Sequence, residues 1–305
     1  MKLYNDYSSY LKEKYGCKVH RIGLDAGFSC PNRDGTRGEG GCLYCNNEAS
    51  RSAYVNPADS IAIQLKNRIA HLKETRPSVK FIAYFQAFTN TYAPVDKLKA
   101  VYDNVLAFDE IVGISIGTRP DAIDDDKLKL ISSYLNKYEV WIEYGLQSIH
   151  DRTLKSIKRG HTYNEFLNAF KSTKAYGIPV CVHIILGLPG ETKSDMIETA
   201  RRLTDLKIDA VKIHLLHVLK GSPLEKLYSE GRIKLLTQEE YVNIACDFLE
   251  NLSSDIIIQR LTGEGTRLSH IAPAWALDKI GTIDKIREEL TKRKSHQGYK
   301  LITNI

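Results

Sequence analysis

The sequence predicts an α/β protein built on a mainly parallel sheet, and two observations support this prediction. Short runs rich in Val and Ile alternate along the chain with longer amphipathic segments. The short runs lack a clean two-residue alternation, which is typical of parallel strands that are covered on both faces. Strands joined by helical crossovers form an open or closed (β/α) barrel or a doubly wound sheet. The pattern alone does not separate these architectures.

Six short apolar runs are the predicted strands. They are Val19–Leu24, Phe81–Phe85, Ile111–Ile116, Val140–Leu146, Val180–Leu186 and Ala210–Leu216. Amphipathic helical patterns lie between them, at Ser60–Lys73, Val95–Phe108, Asp125–Asn136, Thr162–Tyr176 and Ser194–Leu206. In the first of these patterns Ile61, Leu65 and Ile69 fall on one helical face, which predicts packing against the sheet.

The last part of the chain follows a different pattern. From about Thr237 the sequence predicts a helix over Gln238–Leu252, a short strand over Ile256–Leu261, loops with Gly and Pro, and a basic helix over Ile283–Lys294. We therefore predict a core over residues 1–236 and a C-terminal α/β extension over residues 237–305. We expect the extension to pack on the core as a cap, because no low-complexity linker separates the two.

The composition indicates a globular protein with a mildly basic balance. The 305 residues carry a net charge of +6, with 43% hydrophobic and 26% charged residues. That balance is compatible with an anionic partner such as RNA or a phosphorylated substrate. The polar and aromatic segment Met1–Lys14 lacks the pattern of a signal peptide, and no run of eighteen apolar residues occurs. We therefore expect a cytoplasmic protein with no membrane partner.

The segment Ser29–Cys45 contains three of the six cysteines. Cys42 and Cys45 form a C-x-x-C pair, and eleven residues that include four glycines separate Cys30 from Cys42. The glycines allow the backbone to curl so that three thiolates can converge. A structural zinc site requires four ligands, whereas three cysteines can hold a [4Fe–4S] cluster and leave one iron open.

Two alternatives stay open for this cysteine loop. One is a zinc site that His20 or a distant residue completes. The other is a redox C-x-x-C, which lacks the strand–C-x-x-C–helix context of that class. The isolated Cys17, Cys181 and Cys246 are expected to be small buried apolar side chains.

Further motifs, taken with the cysteines, resemble one known family. They are SCPNRDG (Ser29–Gly35), AYFQAFTNTYAP (Ala83–Pro94), SIGTRPD (Ser115–Asp121), YGLQSIHD (Tyr144–Asp151), KRGH (Lys158–His161) and ILGLPGET (Ile185–Thr192). With C-x11-C-x2-C in place of the compact C-x3-C-x2-C, they resemble the radical S-adenosylmethionine (SAM) proteins related to Elp3 and to coproporphyrinogen dehydrogenase. The short YhcC/YtqA subgroup is the most similar, and the resemblance covers about residues 4–300.

This resemblance implies a fold, two cofactors and a reaction. The fold would be a partial (β/α)6 TIM-like barrel of the radical SAM type with a small C-terminal cap. Cys30, Cys42 and Cys45 would ligate a [4Fe–4S] cluster that chelates S-adenosyl-L-methionine. An electron from flavodoxin or ferredoxin would cleave the SAM and generate a 5′-deoxyadenosyl radical. An acetyltransferase half like that of Elp3 is not implied.

The resemblance also implies a set of SAM-binding positions, which follow the ends of predicted strands, where (β/α) barrels assemble their sites. These positions are Tyr44, Gln86, Ala87, Thr118, Arg119, Gln147, Arg159, His183 and Ile185. Gln86 and Ala87 replace a glycine motif of the related enzymes, and Gln147 and Arg159 match residues that hold the ribose and carboxylate. Local pairing of Thr118 and Gln147, a solvated Arg159 and a core His183 are the structural alternatives.

The substrate implied by the resemblance is the side chain of a tRNA wobble uridine, remodelled from carboxymethylaminomethyl to aminomethyl. The pair Gln259-Arg260 resembles a Q-R pair of the Elp3 catalytic module, and the Lys/Arg-rich tail could follow phosphates. His214 and His217 are candidate acid/base groups or core histidines. A small metabolite such as a porphyrin-like acid is an alternative substrate, and a zinc-bearing RNA-binding module is a third interpretation.

Overall fold

A computed structural model describes residues 2–46, 51–75, 80–263 and 269–302 of the chain. Seven parallel strands form one curled sheet in the order β1-β2-β3-β4-β5-β6-β8, and β7 pairs with β9 in a small antiparallel sheet. The strands are β1 (Val19–Leu24), β2 (Lys80–Phe85), β3 (Ile111–Thr118), β4 (Glu139–Gln147), β5 (Val180–Leu186), β6 (Ala210–Leu215), β7 (Val218–Leu219), β8 (Ile257–Arg260) and β9 (His270–Ala272).

Helices alternate with the strands along the chain, beginning with a helix ahead of β1. They are α1 (Tyr7–Tyr15), α2 (Ile61–Thr75), α3 (Val95–Tyr102), α4 (Asp125–Ser132), α5 (Asp151–Ser156), α6 (Tyr163–Ala175), α7 (Lys193–Asp205), α8 (Pro223–Ser229), α9 (Gln238–Glu250), α10 (Lys279–Lys292) and α11 (Tyr299–Ile302). Short 3-10 turns extend α3 and α4 over Asp103–Ala107 and Ser133–Asn136, where single helices were predicted. None of the helices in these ranges combines the length and apolar character that a membrane crossing requires.

The sheet forms the predicted partial barrel, and the six predicted strands are confirmed within two residues at each end. The segment Ile256–Leu261 was predicted to belong to the cap. In the structure β8 pairs in parallel with β6 and is the seventh strand of the main sheet. Its Ile-rich sequence suits a strand that is covered on both faces. The proposed boundary after residue 236 stays a prediction.

Helix α1, which the sequence pattern did not predict, lies at the amino-terminal end of the barrel. Tyr7 contacts Trp141 edge-on at a ring distance of 5.9 Å, and the Arg21 guanidinium lies 4.6 Å from the centre of the Tyr7 ring. The backbone N–H of Ile258 donates to the carbonyl of Asn5 at 2.7 Å. The α1 segment therefore closes the lower end of the barrel, and the opposite end stays open.

Side chains alternate between the outer and the inner face of the sheet, as the strand period of two requires. On β4, Val140, Ile142 and Tyr144 join the apolar core under the helices. Their neighbours Glu143 and Gly145 face the interior of the barrel and line a cavity there. The same alternation on the other strands aims a second set of side chains at this interior.

Candidate active site

A cavity of about 460 Å³ opens at the carboxyl ends of the strands. That volume lies within the range of small-molecule and cofactor sites. Its lining includes Cys30, Cys42, Tyr44, Cys45, Gln86, Thr118, Arg119, Gln147, Arg159, His183, Ile185, His214 and His217. Ala87 is outside this lining, because it is fully buried and its carbonyl accepts a hydrogen bond from Asn90 Nδ2 at 3.1 Å.

Backbone hydrogen bonds and glycine geometry fold the cysteine loop against the barrel. The N–H of Cys45 donates to the carbonyl of Cys42 at 3.0 Å, which closes a turn between the two cysteines. Gly40 and Gly41 adopt positive φ angles of 75° and 89°, which glycine adopts without strain. The N–H of Leu43 donates to the carbonyl of Ile157 at 2.9 Å. This bond fixes the loop to the turn that follows α5.

Cationic and amide donors surround the sulfur atoms. Arg159 Nη1 and Asn32 Nδ2 each lie 3.4 Å from Cys42 Sγ, and Arg33 Nη2 lies 3.5 Å from Cys45 Sγ. Burial acts to raise the pKa of Cys42, but the nearby Arg159 guanidinium outweighs it and lowers that pKa. Burial and the Cys42 sulfur raise the pKa of Cys45. The donors favour thiolate at Cys42, the form that binds metal.

The number of cysteines in the loop fits an open iron–sulfur cluster better than a structural zinc site, which requires a fourth ligand. Cys30, Cys42 and Cys45 line the same cavity, and three thiolates can hold a [4Fe–4S] cluster while one iron stays open. The donor set therefore fits the cluster.

The end of β4 brings Gln147 and Arg159 together. The register of β4 shifts between Gly145 and Gln147, and Gln147 takes a φ of 77° that is uncommon for a residue with a side chain. Arg159 Nε and Nη2 donate to the Gly145 carbonyl at 3.1 and 2.6 Å. A Cβ atom at Gly145 would lie 2.6 Å from Arg159 Nη2 and 2.8 Å from Gln147 Nε2. Glycine therefore leaves room for both side chains.

Thr118 and Arg119, at the end of β3, have protein partners as well as cavity exposure. Arg119 Nε and Nη2 each donate to the Asp121 carboxylate at 2.8 Å, and Nη1 donates to the Arg159 carbonyl at 2.7 Å. The hydroxyls of Thr118 and Thr91 lie 2.6 Å apart. Arg119 thus braces the segment that carries Arg159.

Below these positions lies a cluster of which sequence reasoning named His183 and His214 but missed the charged residues Arg21, Glu143 and Lys212. We name Arg21, Glu143, His183, Lys212 and His214 the cavity floor. Glu143 contacts Lys212 Nζ, His183 Nε2 at 2.8 Å and Arg21 Nη1 at 3.3 Å. A signal was available in the sequence, because Arg21, Glu143 and Lys212 are charged residues in the middle of short, mostly apolar strands.

The pKa shifts of the cavity floor follow from burial and these contacts. Burial acts to raise the pKa of Glu143, but Lys212 and Arg21 hold it well below its usual range. Burial and the Arg21 charge lower the pKa of Lys212 to about 7. Burial and the Lys212 charge lower the pKa of His183 to about 4.

The two candidate acid/base histidines line the cavity as neutral groups at pH 7. The His214 ring lies 5.3 Å from the His183 ring, and burial followed by the Arg260 charge keeps the pKa of His214 well below its usual range. Burial, followed by the charge of His270, lowers the pKa of His217 to about 4. Neutral imidazoles offer one donor and one acceptor each.

The basic tail is partly neutralised. Arg293 Nη1 lies 3.1 Å from Asp247 Oδ1, and Lys300 Nζ lies 2.9 Å from the same carboxylate and 2.6 Å from Glu250. These two cations hold the C-terminal segment on α9. They are therefore poorly suited to following a phosphate backbone.

Comparisons with known proteins agree with this geometry. The Radical SAM superfamily profile matches residues 33–203, and the Radical_SAM C-terminal domain profile matches residues 208–292. YtqA of Bacillus subtilis is 41% identical over 297 residues, which cover 97% of this chain and 92% of YtqA. YhcC of Escherichia coli K12 is 38% identical over 275 residues, which cover 90% of this chain and 88% of YhcC.

More distant matches involve longer proteins. The tRNA uridine(34) acetyltransferase of Methanocaldococcus jannaschii is 31% identical over 144 residues, which cover 46% of this chain and 26% of that protein. The structure of Methanocaldococcus infernus Elp3 superimposes with a TM-score of 0.64 at 17% identity, covering 92% of this chain and 64% of that one. The Elp3 similarity establishes the fold. With the near-full-length matches, the chain belongs to the radical SAM superfamily, in the group of YtqA and YhcC, whose cofactors are a [4Fe–4S] cluster and SAM.

Proposed function

We propose that this radical SAM enzyme acts on tRNA and remodels the side chain of the wobble uridine from carboxymethylaminomethyl to aminomethyl. The observation that carries the proposal is a second cleft of about 540 Å³, lined by residues of both edge strands, β1 and β8. We name it the lateral cleft. Its lining includes the cations Arg21, Arg260, Lys279 and Arg287 and the tyrosines Tyr4, Tyr7, Tyr54 and Tyr84. Cations with aromatic rings are the usual surface for single-stranded nucleic acid.

Two further facts support tRNA as the substrate. One relative that matches 46% of this chain carries the name tRNA uridine(34) acetyltransferase. The net charge of +6 favours association with a polyanion. A tRNA substrate also agrees with the cytoplasmic location that we expect from the sequence.

In this proposal the residues of the chain bind and orient the cofactors. Cys30, Cys42 and Cys45 hold the cluster. Gln147 and Arg159 bind polar groups of SAM, and Tyr44 and Ile185 pack near its adenine. When bound there and reduced by a donor such as flavodoxin or ferredoxin, the cluster would supply the electron chemistry that cleaves SAM to a 5′-deoxyadenosyl radical.

Gln86, Thr118, Arg119 and His183 have protein partners in addition to their places at the cavity, so we assign them to orienting these groups. Ala87 contributes backbone packing at the same strand end.

A small acidic metabolite is the second candidate substrate. Arg21 and Lys212 share the single carboxylate of Glu143 at the cavity floor, which leaves positive potential there for an acid. The zinc-bearing RNA-binding module is disfavoured by the match of residues 33–203 to the Radical SAM superfamily.

Comparing the nucleosides of tRNA from a deletion strain and its parent tests the tRNA proposal. We expect the deletion to accumulate the carboxymethylaminomethyl nucleoside and to lose the aminomethyl one, and the wild-type gene to restore both. A variant gene that encodes Cys42→Ala should fail to restore them. An unchanged nucleoside profile in the deletion strain would contradict the tRNA proposal and favour the small-metabolite substrate.

A further inference from the structure

Several buried polar atoms inside the barrel have no hydrogen-bond partner. Among the residues that the structure describes, they include Glu143 Oε1, His214 Nε2, Gln259 Nε2 and Arg21 Nε. Glu143 Oε1 has an ion-pair contact with Arg21 Nη1 at 3.3 Å and accepts no hydrogen bond from the described residues. Glu143 and His214 line the cavity, whereas Gln259 and Arg21 line the lateral cleft. Folded proteins leave few such atoms unpaired, and those that persist commonly serve a ligand or ordered water. This part of the barrel therefore retains hydrogen-bonding capacity for a bound molecule.

The protonation states define what these atoms can bind. Lys212 and Arg21 keep Glu143 ionised, so that Glu143 Oε1 can only accept hydrogen bonds. Gln259 Nε2 can only donate, and the neutral His214 ring can donate from Nε2. A bound group must therefore offer one donor to Glu143 and acceptors to the donors around it.

We infer that the cavity floor binds the edge of an uncharged nucleobase that presents an N–H group between two carbonyl oxygens, as uracil does. The inference rests on the proposed tRNA function and names the part of the substrate that the floor recognises. The N–H donates to Glu143 Oε1, and a carbonyl accepts from His214 Nε2. Cytosine presents an acceptor in place of that N–H, so the ionised carboxylate rejects it. Enzymes that modify bases commonly recognise a flipped base by hydrogen bonds to this edge.

The lateral cleft gives such a base a route to the floor. Tyr54, Tyr84, Arg260 and Lys279 line both the cleft and the cavity. Aromatic rings can stack on a base, and the cations can contact its flanking phosphates. Arg287 extends the positive lining outward, with half of its side chain exposed.

A metal ion is a weaker occupant of the floor. Donor atoms of Glu143, Cys181 and His183 lie within 4.8 Å of one another and could hold a cation. Lys212 and Arg21 contact the same carboxylate, however, and their charges oppose a further cation. The ribose hydroxyls of SAM are an alternative occupant of the cavity floor. The experiment below distinguishes this alternative from the binding of a base.

The test uses the reconstituted holoenzyme and two anticodon stem-loop RNAs that differ only at the wobble base. One carries uridine and the other carries N3-methyluridine, which lacks the N–H. We expect the wild type to bind the uridine RNA at least about ten-fold more tightly, because a buried acceptor is left unpaired by the methylated base. Equal affinity for the two RNAs would overturn the inference.

Two variants and a control identify the residues responsible. Glu143→Gln should reduce the ratio of the two affinities towards one, because the base N–H pairs with the Glu143 carboxylate. His214→Leu should weaken the binding of both RNAs by a similar factor and leave the affinity for SAM unchanged, because both bases keep the carbonyl that His214 contacts. This variant keeps the test valid if loss of the Glu143 charge prevents folding. His71→Leu, on the exposed face of α2, should keep the wild-type affinities and the wild-type rate of SAM cleavage. If Glu143→Gln retains the ratio, or if His214→Leu binds both RNAs as tightly as the wild type or loses affinity for SAM and RNA equally, the inference is wrong.

Failure of the tRNA proposal is distinguishable from failure of this inference. If neither RNA binds, the tRNA proposal fails, and free uridine and N3-methyluridine at millimolar concentration test the floor directly. A preference for uridine that Glu143→Gln removes, together with weaker binding of both nucleosides by His214→Leu, supports the inference. Equal binding of the two nucleosides, or no binding, overturns it.

Discussion

Two buried arginines, Arg119 and Arg159, form a chain of contacts that ends at Cys42 in the cysteine loop. Arg119 donates to the backbone carbonyl of Arg159, and the Arg159 side chain donates to the Gly145 carbonyl and contacts Cys42 Sγ. Both side chains are almost fully buried, where an unpaired charge would be costly. Their contacts link the β3 and β4 ends to the cysteine loop, so that Arg159, a proposed SAM-binding residue, and Cys42, a proposed cluster ligand, are held by one network.

His217 makes the stability of the protein depend on pH. Its pKa is about 4 when folded, below the ordinary 6.5, because burial disfavours the charged ring. Between these two values the unfolded chain binds the extra proton, so the free energy of unfolding falls as the pH falls through that window. We expect His217 to contribute about 1 kcal/mol to the loss of stability between pH 7 and pH 5, after discounting for its partial exposure.

Denaturant unfolding at a series of pH values measures this effect. His217→Asn should have a shallower decline than the wild type between pH 7 and pH 5, whereas the exposed control His71→Asn should follow the wild type. Parallel profiles for all three proteins would show that His217 titrates normally in the folded state.

The site was predictable from sequence where its residues are close together in the chain. The cysteines form one loop, and Gln147 and Arg159 lie in motifs at a strand end. The charged members of the cavity floor were missed, because Glu143 and Lys212 become neighbours only when β4 and β6 flank β5 in the sheet. Arg119 was predicted to contact SAM, and only the folded chain reveals its bonds to Asp121 and to the Arg159 carbonyl.

At the scale of elements, hydrophobic runs identified the strands of the barrel, because each is buried on both faces. Two elements were not recognised. The short strand β8 looked like part of a cap, since sequence order does not reveal that it pairs with β6. Helix α1 has a polar and aromatic sequence, and its packing depends on Trp141 and Arg21, which are remote in the chain.

The end of β4 offers a test of an element that positions SAM. Gly145→Ala would place a Cβ 2.6 Å from Arg159 Nη2 and displace that side chain. We expect the affinity for SAM to fall by about ten-fold, the equivalent of one charged hydrogen bond, while the three cysteines keep the iron content at the wild-type level. Equilibrium binding of SAM to the reconstituted protein measures the change.

Gly16→Ala is the matched control. Gly16 ends α1 with a φ of 68° and has no atoms within 4 Å of an added Cβ. Alanine there should cost about 1 kcal/mol of stability through backbone strain and leave the affinity for SAM unchanged. Wild-type affinity in Gly145→Ala, or an equal loss in both variants, would contradict the role of the β4 end.

At the scale of the whole molecule, seven strands leave the barrel incomplete, and the edge strands β1 and β8 flank the lateral cleft. The cavity with the cysteines and the cleft with cations and tyrosines share part of their lining. A chain of this design can enclose a small cofactor and still admit one residue of a large polymer. The sequence pattern left an open barrel, a closed barrel and a doubly wound sheet equally acceptable, because strand order depends on long-range pairing.

Reductive cleavage of SAM is the most direct test that Cys30, Cys42 and Cys45 form a radical SAM centre. Anaerobically reconstituted wild-type protein should bind about four irons and release 5′-deoxyadenosine from SAM when dithionite is added. Cys17→Ser, which changes a cysteine outside the loop, should behave in the same way, whereas Cys42→Ala should lose the product. Zinc in place of iron, or equal product from Cys42→Ala and the wild type, would contradict this assignment.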